Sequence, residues 1–201
     1  MYMDESYHKL CLAELDKLTE KKKILLHSCC GPCSSYVISF LTKYFDITVL
    51  YYNPNISPRE EYEKRKKEQI KLIKKIEKTN NVDIIDCDYD NDIYENSIKG
   101  YEKCPERGER CTICFNLRLE KTAQIAKENN YDYFCSTLTV SPYKNAKLIN
   151  EIGDKLGKKY HIKWLYSDFK KNDGYKKSIE LSKKYNLYRQ DYCGCIYSKR
   201  K

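Results

Sequence analysis

The pattern of apolar and polar positions predicts that strands and helices alternate along most of the chain. Short runs rich in isoleucine, leucine, valine and tyrosine are typical of buried strands, and the segments between them carry apolar residues at helical spacing. The predicted strands are 21–30, 46–55, 82–90, 131–140 and 161–169. The predicted helices are 34–45, 57–81, 111–130, 145–157 and 174–186, and residues 91–110 are expected to form a loose, charged connection.

This alternation is typical of an α/β fold with a mostly parallel sheet and helices on both faces. The sequence has no internal repeat, no low-complexity linker and no obvious boundary, so we expect residues 1–201 to form a single α/β domain with a C-terminal Cys-x-Cys segment. Ligands of such sheets bind at the carboxyl ends of the strands. The residues that directly follow each predicted strand are therefore the first candidates for a functional site.

Composition and charge indicate where the protein is located and what kind of partner it binds. Residues 1–23 are polar and amphipathic, which predicts neither a signal peptide nor a membrane span. We therefore expect a cytoplasmic protein with no membrane association, in which thiols are kept reduced. The formal net charge of +9 is compatible with a polyanionic partner such as nucleic acid, although excess lysine also keeps proteins soluble.

The cysteines carry the clearest chemical signal. The chain has eleven, an odd number that argues against a closed set of structural disulfides. Cys29 and Cys30 follow the first predicted strand, and Cys111 and Cys114 form a Cys-x-x-Cys at a helix start, where the helix dipole favours thiolates.

Adjacent cysteines point apart, so they suit a cluster of several iron atoms better than one zinc ion, which usually takes a Cys-x-x-Cys from each side. The spacing therefore favours an iron–sulfur centre held by these two pairs, with zinc or plain buried thiols as the alternatives. Cys33 lies one helical turn after Cys30 and is either a further metal ligand or a helix residue that packs inward.

A second constellation lies near the C-terminus, where Cys193 and Cys195 flank Gly194. Two cysteines at this spacing can close a small, strained disulfide, because glycine allows the backbone to bend. Strained dithiols have raised reduction potentials and tend to be catalytic. We interpret the pair as redox-active; a metal-binding Cys-x-Cys or two idle thiols are the alternatives.

Taken together, the motifs resemble the epoxyqueuosine reductase QueH family, in order from Ile24 to Ser198. The stretches that carry the resemblance are HSCCGPCSSY, YYNPNISPREEYEKR, RCTICFNLRLEKTAQIA, FCSTLTVSPY and YSDFKKNDGYKKSIELSKKYNLYRQDYCGCIYS. The resemblance implies an oxidoreductase of queuosine biosynthesis that needs no cobalamin. Such an enzyme reduces the epoxide of epoxyqueuosine, at the wobble position of tRNA, to the cyclopentene of queuosine with loss of water.

The resemblance also implies cofactors, partners and residue roles. It assigns a 4Fe–4S cluster to Cys29, Cys30, Cys111 and Cys114, and an additional iron beside it for which Cys33 is the candidate ligand. It assigns a redox-active disulfide to Cys193 and Cys195. The expected partners are tRNA that carries epoxyqueuosine and an unidentified electron donor.

The fold implied by the resemblance is Rossmann-like and related to the adenine-nucleotide hydrolase (HUP-like) group. The phosphate loop of that group is replaced here by CCGPCSS, so we expect no activation by ATP. The alternatives are a sulfonucleotide (adenylyl sulfate) reductase and a zinc-bearing RNA-binding module. The candidate proton donors are His27, Asp168 and Tyr192, and the candidate phosphate contacts are Arg118, Arg189, Lys199 and Arg200.

Overall fold

The centre of the molecule is a parallel sheet. In the computed structural model, which describes residues 6–199, the sheet has five strands in the order β3-β2-β1-β4-β5, and every neighbouring pair is parallel. The strands are β1 Lys22–His27, β2 Phe45–Tyr51, β3 Val82–Asp86, β4 Tyr133–Ser136 and β5 Lys163–Trp164. This architecture confirms the predicted α/β fold with a Rossmann-like parallel sheet.

Seven α-helices surround the sheet in the described part of the chain. Two of them, α1 and α4, were not predicted, because each is short and buries few apolar side chains. The loose connection expected at 91–110 is therefore wrong in its first part. The helices are α1 Tyr7–Leu15, α2 Gly31–Leu41, α3 Arg59–Lys75, α4 Asn91–Ser97, α5 Glu109–Glu128, α6 Ala146–Tyr160 and α7 Gly174–Lys184.

The central strand β1 is buried on both faces and feeds two separate apolar clusters. Ile24 and Leu26 pack with residues of α2 and α3 on one face, whereas Leu25 packs with residues of α5 and α6 on the other. Successive side chains of a strand point to opposite faces. A continuous apolar run is therefore what a strand covered on both sides requires.

All five strands are shorter than predicted. Side-chain hydrogen bonds explain where two of them, β4 and β5, end. After β4, the Ser136 hydroxyl accepts a bond from the Leu138 amide at 3.2 Å, and the chain turns into a 3₁₀ helix, Thr137–Val140. After β5, the Asn150 side chain of α6 accepts from the Ser167 amide at 3.0 Å and donates to the Ser167 carbonyl at 2.8 Å. These hydrogen bonds between the backbone and side chains take the place of the strand-to-strand hydrogen bonds that would continue β4 and β5.

The strand order reverses between β1 and β4, and in open α/β sheets ligands bind at such a switch point. The residues just after both strands meet there, because the Cys29 amide donates a hydrogen bond to the Thr137 hydroxyl at 3.4 Å. The first cysteines therefore lie at the crevice. Within residues 6–199 no helix is long and apolar enough to cross a membrane.

Candidate metal centre

Three thiols come together where β1 passes into α2. The sulfur atoms of Cys29, Cys30 and Cys33 all lie within 4.8 Å of one another, and 3.8 Å separates Cys29 Sγ from Cys30 Sγ. Cys30 is the extended N-cap residue of α2 and Pro32 lies in its first turn, so one turn of helix brings Cys33 back over Cys30. This cysteine triad could bind a metal centre.

Hydrogen bonding within the triad shifts the pKa values of its thiols in opposite directions. Hydrogen bonds from Cys30 and Cys33 keep the pKa of the Cys29 thiol well below its ordinary value. The Cys29 sulfur in turn raises the pKa of Cys30 to about 12 and that of Cys33 well above its ordinary value. Thiols bind metals in deprotonated form, so loading the triad with metal releases protons.

The Cys-x-x-Cys pair lies in the first two turns of α5 and faces the C-terminal pair. Cys111 and Cys114 line one cavity together with Cys193 and Cys195. The Arg107 amide donates to Cys111 Sγ at 3.3 Å, and burial raises the pKa of Cys114 to about 12. Both pairs are free thiols in this structure.

The cysteine triad and this cavity are joined by packing and by polar bonds. Cys111 packs against the apolar cluster that contains Cys29 and Cys30, although its sulfur lies outside the 4.8 Å triad. Arg118 donates through Nη1 to Asn53 Oδ1 at 3.3 Å, and Asn53 Nδ2 donates to the Ser28 carbonyl at 2.8 Å. The structure therefore places the predicted cysteines at one edge of the sheet.

The Cys193-Gly194-Cys195 segment is anchored to the start of α3. Arg65 donates to the Cys193 carbonyl at 3.1 Å, and the Ser57 amide donates to the Gly194 carbonyl at 2.9 Å. Gly194 has a φ of +128°, and a Cβ there would lie 2.9 Å from Ile56 Cγ1. Glycine at position 194 is therefore required for the Cys-x-Cys segment to pack this closely against Ile56.

The candidate proton donors are engaged elsewhere. His27 is fully buried, with Nδ1 2.9 Å from the Ser136 hydroxyl and Nε2 3.1 Å from the Tyr52 carbonyl, and burial lowers its pKa to about 3. Neutral His27 thus holds β1 and β4 together. The Tyr192 hydroxyl donates to the Ser57 carbonyl at 2.9 Å, and Asp168 is paired with Lys170.

The prediction that Arg118 contacts a phosphate of the RNA is wrong, because Arg118 is buried and does not reach the surface. Arg189 donates to the Ser182 hydroxyl at 3.1 Å, and Lys199 is exposed. Arg200 lies outside the described residues.

The structure adds two candidate site residues that the sequence did not indicate. Gln190 Nε2 donates to Cys30 Sγ at 2.9 Å, and Lys144 lines the cavity, where its charge acts on Cys193, Cys29 and Cys33. Position in the sequence was the available signal, because Gln190 lies three residues before Cys193 and Lys144 follows the 3₁₀ helix after β4. Neither residue type alone indicates such a role.

The donor set fits the implied cofactor. Soft thiolates are the ligands that iron–sulfur clusters and zinc prefer, and the thiols here come from several separate segments. The buried Arg118 and the partly buried Lys144 act on the sulfur atoms, and these two cations would balance the negative charge of a thiolate-bound centre. The residues present can therefore hold a metal cluster, while the donor set does not by itself distinguish its type.

Comparison with known proteins gives one consistent result. The sequence model described as epoxyqueuosine reductase QueH matches residues 24–201. A protein of that name from Streptococcus pyogenes serotype M1 is 45% identical over 185 residues, which cover 91% of this chain and 72% of the relative. Another, from Staphylococcus epidermidis, is 44% identical over 194 residues, 94% of this chain and 82% of the relative.

A more distant relative carries the same name. The epoxyqueuosine reductase QueH of Thermotoga maritima is 34% identical over 181 residues, which cover 87% of this chain and 89% of the relative. The predicted resemblance is confirmed over nearly the whole chain. This chain belongs to the epoxyqueuosine reductase QueH family.

Proposed function

We propose that this chain reduces epoxyqueuosine at the wobble position of tRNA to queuosine. Membership of the QueH family supports the reaction, and the gathering of the cysteine triad, the Cys-x-x-Cys and the Cys-x-Cys at the switch point of the sheet supports the location. The relatives all carry the name of this activity, so the comparisons favour it over adenylyl sulfate reduction.

The proposed ligands of a 4Fe–4S cluster are Cys29, Cys30, Cys111 and Cys114, with Cys33 as a ligand of an additional iron. When bound, such a centre supplies electrons one at a time, and an iron with an open position polarises an oxygen atom. The contact of Cys33 with both neighbouring sulfur atoms supports its place beside the cluster. The bond from Gln190 to Cys30 Sγ orients that ligand.

Cys193 and Cys195 supply the reducing equivalents in this proposal. Oxidation of the two thiols to a disulfide releases two electrons and two protons, and conversion of an epoxide to an alkene and water consumes the same number. The two thiols line the cavity with Cys111 and Cys114, which supports transfer over a short path. An external reductant then restores the dithiol for the next turnover.

The rim of this cavity offers contacts for RNA. Tyr143 is 62% exposed and the Arg107 guanidinium lies 5.9 Å from its ring centroid. Lys144 lies deeper in the same cavity and has no side-chain hydrogen bond or ion pair within residues 6–199. We propose that a base stacks on Tyr143, that Arg107 contacts a phosphate, and that Lys144 donates to an oxygen of the modified nucleotide.

The activity is tested with anaerobically purified protein reconstituted with iron and sulfide. The substrate is tRNA that carries epoxyqueuosine, the reductant is dithionite, and nucleoside mass spectrometry measures the product. We expect conversion to queuosine. A preparation with full iron and sulfide content that yields no queuosine would contradict the proposal.

The cysteine roles are tested in the same assay with a dithiol as the reductant in place of dithionite. Cys193→Ser and Cys195→Ser are expected to lose turnover with dithiol reductants and to keep iron and sulfide, whereas Cys29→Ser and Cys114→Ser are expected to lose iron. Cys104→Ser, in the loop before α5, is the matched control and should behave as the unaltered chain. Loss of iron from both Cys193→Ser and Cys195→Ser would reassign these residues as ligands.

A further inference from the structure

Arg118 is a buried cation without an anionic side-chain partner. Its side chain is 1% exposed, and within residues 6–199 no carboxylate lies within ion-pair distance of it. Of the other two buried arginines, Arg65 has a carboxylate partner, whereas Arg110 lacks one within residues 6–199 and also has an unpartnered Nε. Arg65 is paired with Glu61 at 2.6 Å, and Arg110 donates to the carbonyl oxygens of Glu102 and Cys104.

The bonds that Arg118 forms are few and neutral. Its Nε donates to the Cys114 carbonyl at 3.3 Å and its Nη1 to Asn53 Oδ1 at 3.3 Å. Its Nη2 is buried and has no hydrogen-bond partner in the described part of the chain. A buried charge is costly unless it is paired and hydrogen-bonded, so this guanidinium requires a negative group that the side chains around it do not provide.

The candidates for that negative group are sulfur atoms. The groups whose negative charge acts most strongly on Arg118 are Cys114, Cys193 and Cys29. These belong to the three cysteine segments of the site. A centre bound by four thiolates would carry net negative charge, which is the kind of partner that Nη2 lacks.

Arg118 also connects the two halves of the proposed ligand set. Arg118 donates to the Cys114 carbonyl and to the Asn53 side chain. The Asn53 amide in turn donates to the Ser28 carbonyl at 2.8 Å. Ser28 directly precedes Cys29. The Arg118–Asn53 bridge therefore runs from the Cys-x-x-Cys of α5 to the end of β1.

We propose that Arg118 is the counter-charge and the positioning residue of the metal centre. Its positive charge stabilises the negatively charged thiolate-bound centre, and its bridge through Asn53 fixes α5 relative to the end of β1. This inference rests on the proposed iron–sulfur function. Because reduction adds negative charge, a fixed positive charge beside the centre raises its reduction potential.

The test compares Arg118→Gln and Arg118→Lys after anaerobic reconstitution. The readouts are iron and sulfide per chain and the midpoint potential from a redox titration followed by electron paramagnetic resonance. Arg118→Gln should shift the potential to more negative values and lower the iron content. Arg118→Lys should keep a potential near that of the unaltered chain but bind less iron, because one ammonium group does not replace both bonds.

Arg59→Gln is the charge-matched control. Arg59 is exposed at the start of α3, so its removal changes the net charge by the same amount while water screens the effect. We expect its potential and iron content to equal those of the unaltered chain. A shift as large as that of Arg118→Gln would mean that net charge, and not the buried position, sets the potential, and the inference would be wrong.

Asn53→Asp provides a second test in which the guanidinium remains. A carboxylate at this position would neutralise Arg118 locally, so the potential should again become more negative. If Arg118→Gln does not fold, as judged by circular dichroism, an unchanged potential in Asn53→Asp overturns the inference. Full iron content and an unchanged potential in Arg118→Gln would also overturn it. Failure of the unaltered chain to bind iron would instead refute the proposed centre itself.

Discussion

The three thiols of the cysteine triad meet because they lie between the end of β1 at His27 and the first turn of α2. The extended N-cap conformation of Cys30 and the turn through Pro32 bring Cys33 onto the same side as Cys29. The Cys29 sulfur contacts the Thr137 hydroxyl at 3.7 Å, so the cysteine triad is also tied to the end of β4. Single residues at strand ends thus define the chemistry of the crevice.

At the same scale, the exposed ring of Tyr143 predicts a contribution to RNA binding. Stacking of one base on an aromatic ring contributes about 1–3 kcal/mol, so Tyr143→Ala should weaken the affinity for an anticodon stem-loop by about tenfold, and Tyr143→Phe should not. Fluorescence anisotropy at fixed salt measures the Kd. Tyr101→Ala is the control, because Tyr101 is 37% exposed but lies outside the cavity. Equal affinity of Tyr143→Ala and the control would contradict the stacking proposal.

The glycine between Cys193 and Cys195 leads to a second residue-scale prediction. Gly194→Ala forces a side chain into a φ of +128° and against Ile56 and Arg65, so it should destabilise the segment by about 1–3 kcal/mol and reduce turnover. Urea unfolding and the tRNA assay measure the two effects.

Gly100→Ala is the matched control, because Gly100 also has a positive φ of +86° but has open space around its Cβ position. We expect the control to lose some stability and to keep full turnover. Unchanged turnover of Gly194→Ala would show that the close approach of this segment is not needed for activity.

At the scale of elements, two helices begin at the site and bring their N-termini to its thiols. Cys33 lies in the first turn of α2, and Cys111 and Cys114 lie in the first turns of α5. The positive end of a helix dipole stabilises thiolates, so the helices contribute charge as well as position. The same elements pack on opposite faces of the sheet, and the sheet therefore fixes their separation.

Helix α6 packs closely on β5, which predicts a stability effect distant from the site. A Cβ at Gly153 would overlap the Trp164 indole. Gly153→Ala should therefore lower the free energy of unfolding by about 1–3 kcal/mol, in spite of the better helix propensity of alanine. Thermal or urea unfolding measures the change, and Lys155→Ala, on the exposed side of α6, should remain within about 0.5 kcal/mol. A stabilised Gly153→Ala would contradict the close packing.

At the scale of the whole molecule, the proposed centre joins segments that are distant in sequence. Its ligands come from the end of β1 and from α5, so metal binding cross-links the two halves of the chain. A ligand at about 100 times its Kd stabilises the folded state by about 2.7 kcal/mol. We therefore expect chelation of iron to lower the Tm by about 5–10 °C.

Calorimetry under nitrogen, before and after chelation, measures this difference. A Cys111→Ser/Cys114→Ser variant should show equal Tm values in both states, whereas the Cys104→Ser control should keep the difference. A Tm that does not respond to chelation in the unaltered chain would contradict a structural role for the metal.

The sequence alone was sufficient for much of the architecture and for placing thiols after β1 and at the start of α5. The roles of these thiols stay predictions. The apolar run at Ile24–Leu26 predicts a strand buried on both faces, because such a run has no polar side, and the structure confirms it. Short elements were missed or overextended, because α1, α4 and the ends of β4 and β5 depend on a few hydrogen bonds that no periodicity reveals. The single-domain description of residues 1–201 and the cytoplasmic location stay predictions.

By itself, the sequence determined the α/β alternation and the thiols at strand and helix ends, because these follow from local periodicity. It also determined the family, because the order of the motifs is specific to that family. The tertiary structure decided that Cys33 contacts Cys29 and Cys30, that His27 is a buried strand contact, and that Arg118 lies beneath the site. The physical reason is that burial and partners depend on how distant segments pack. The sequence does not show whether an arginine or a histidine faces water or the interior.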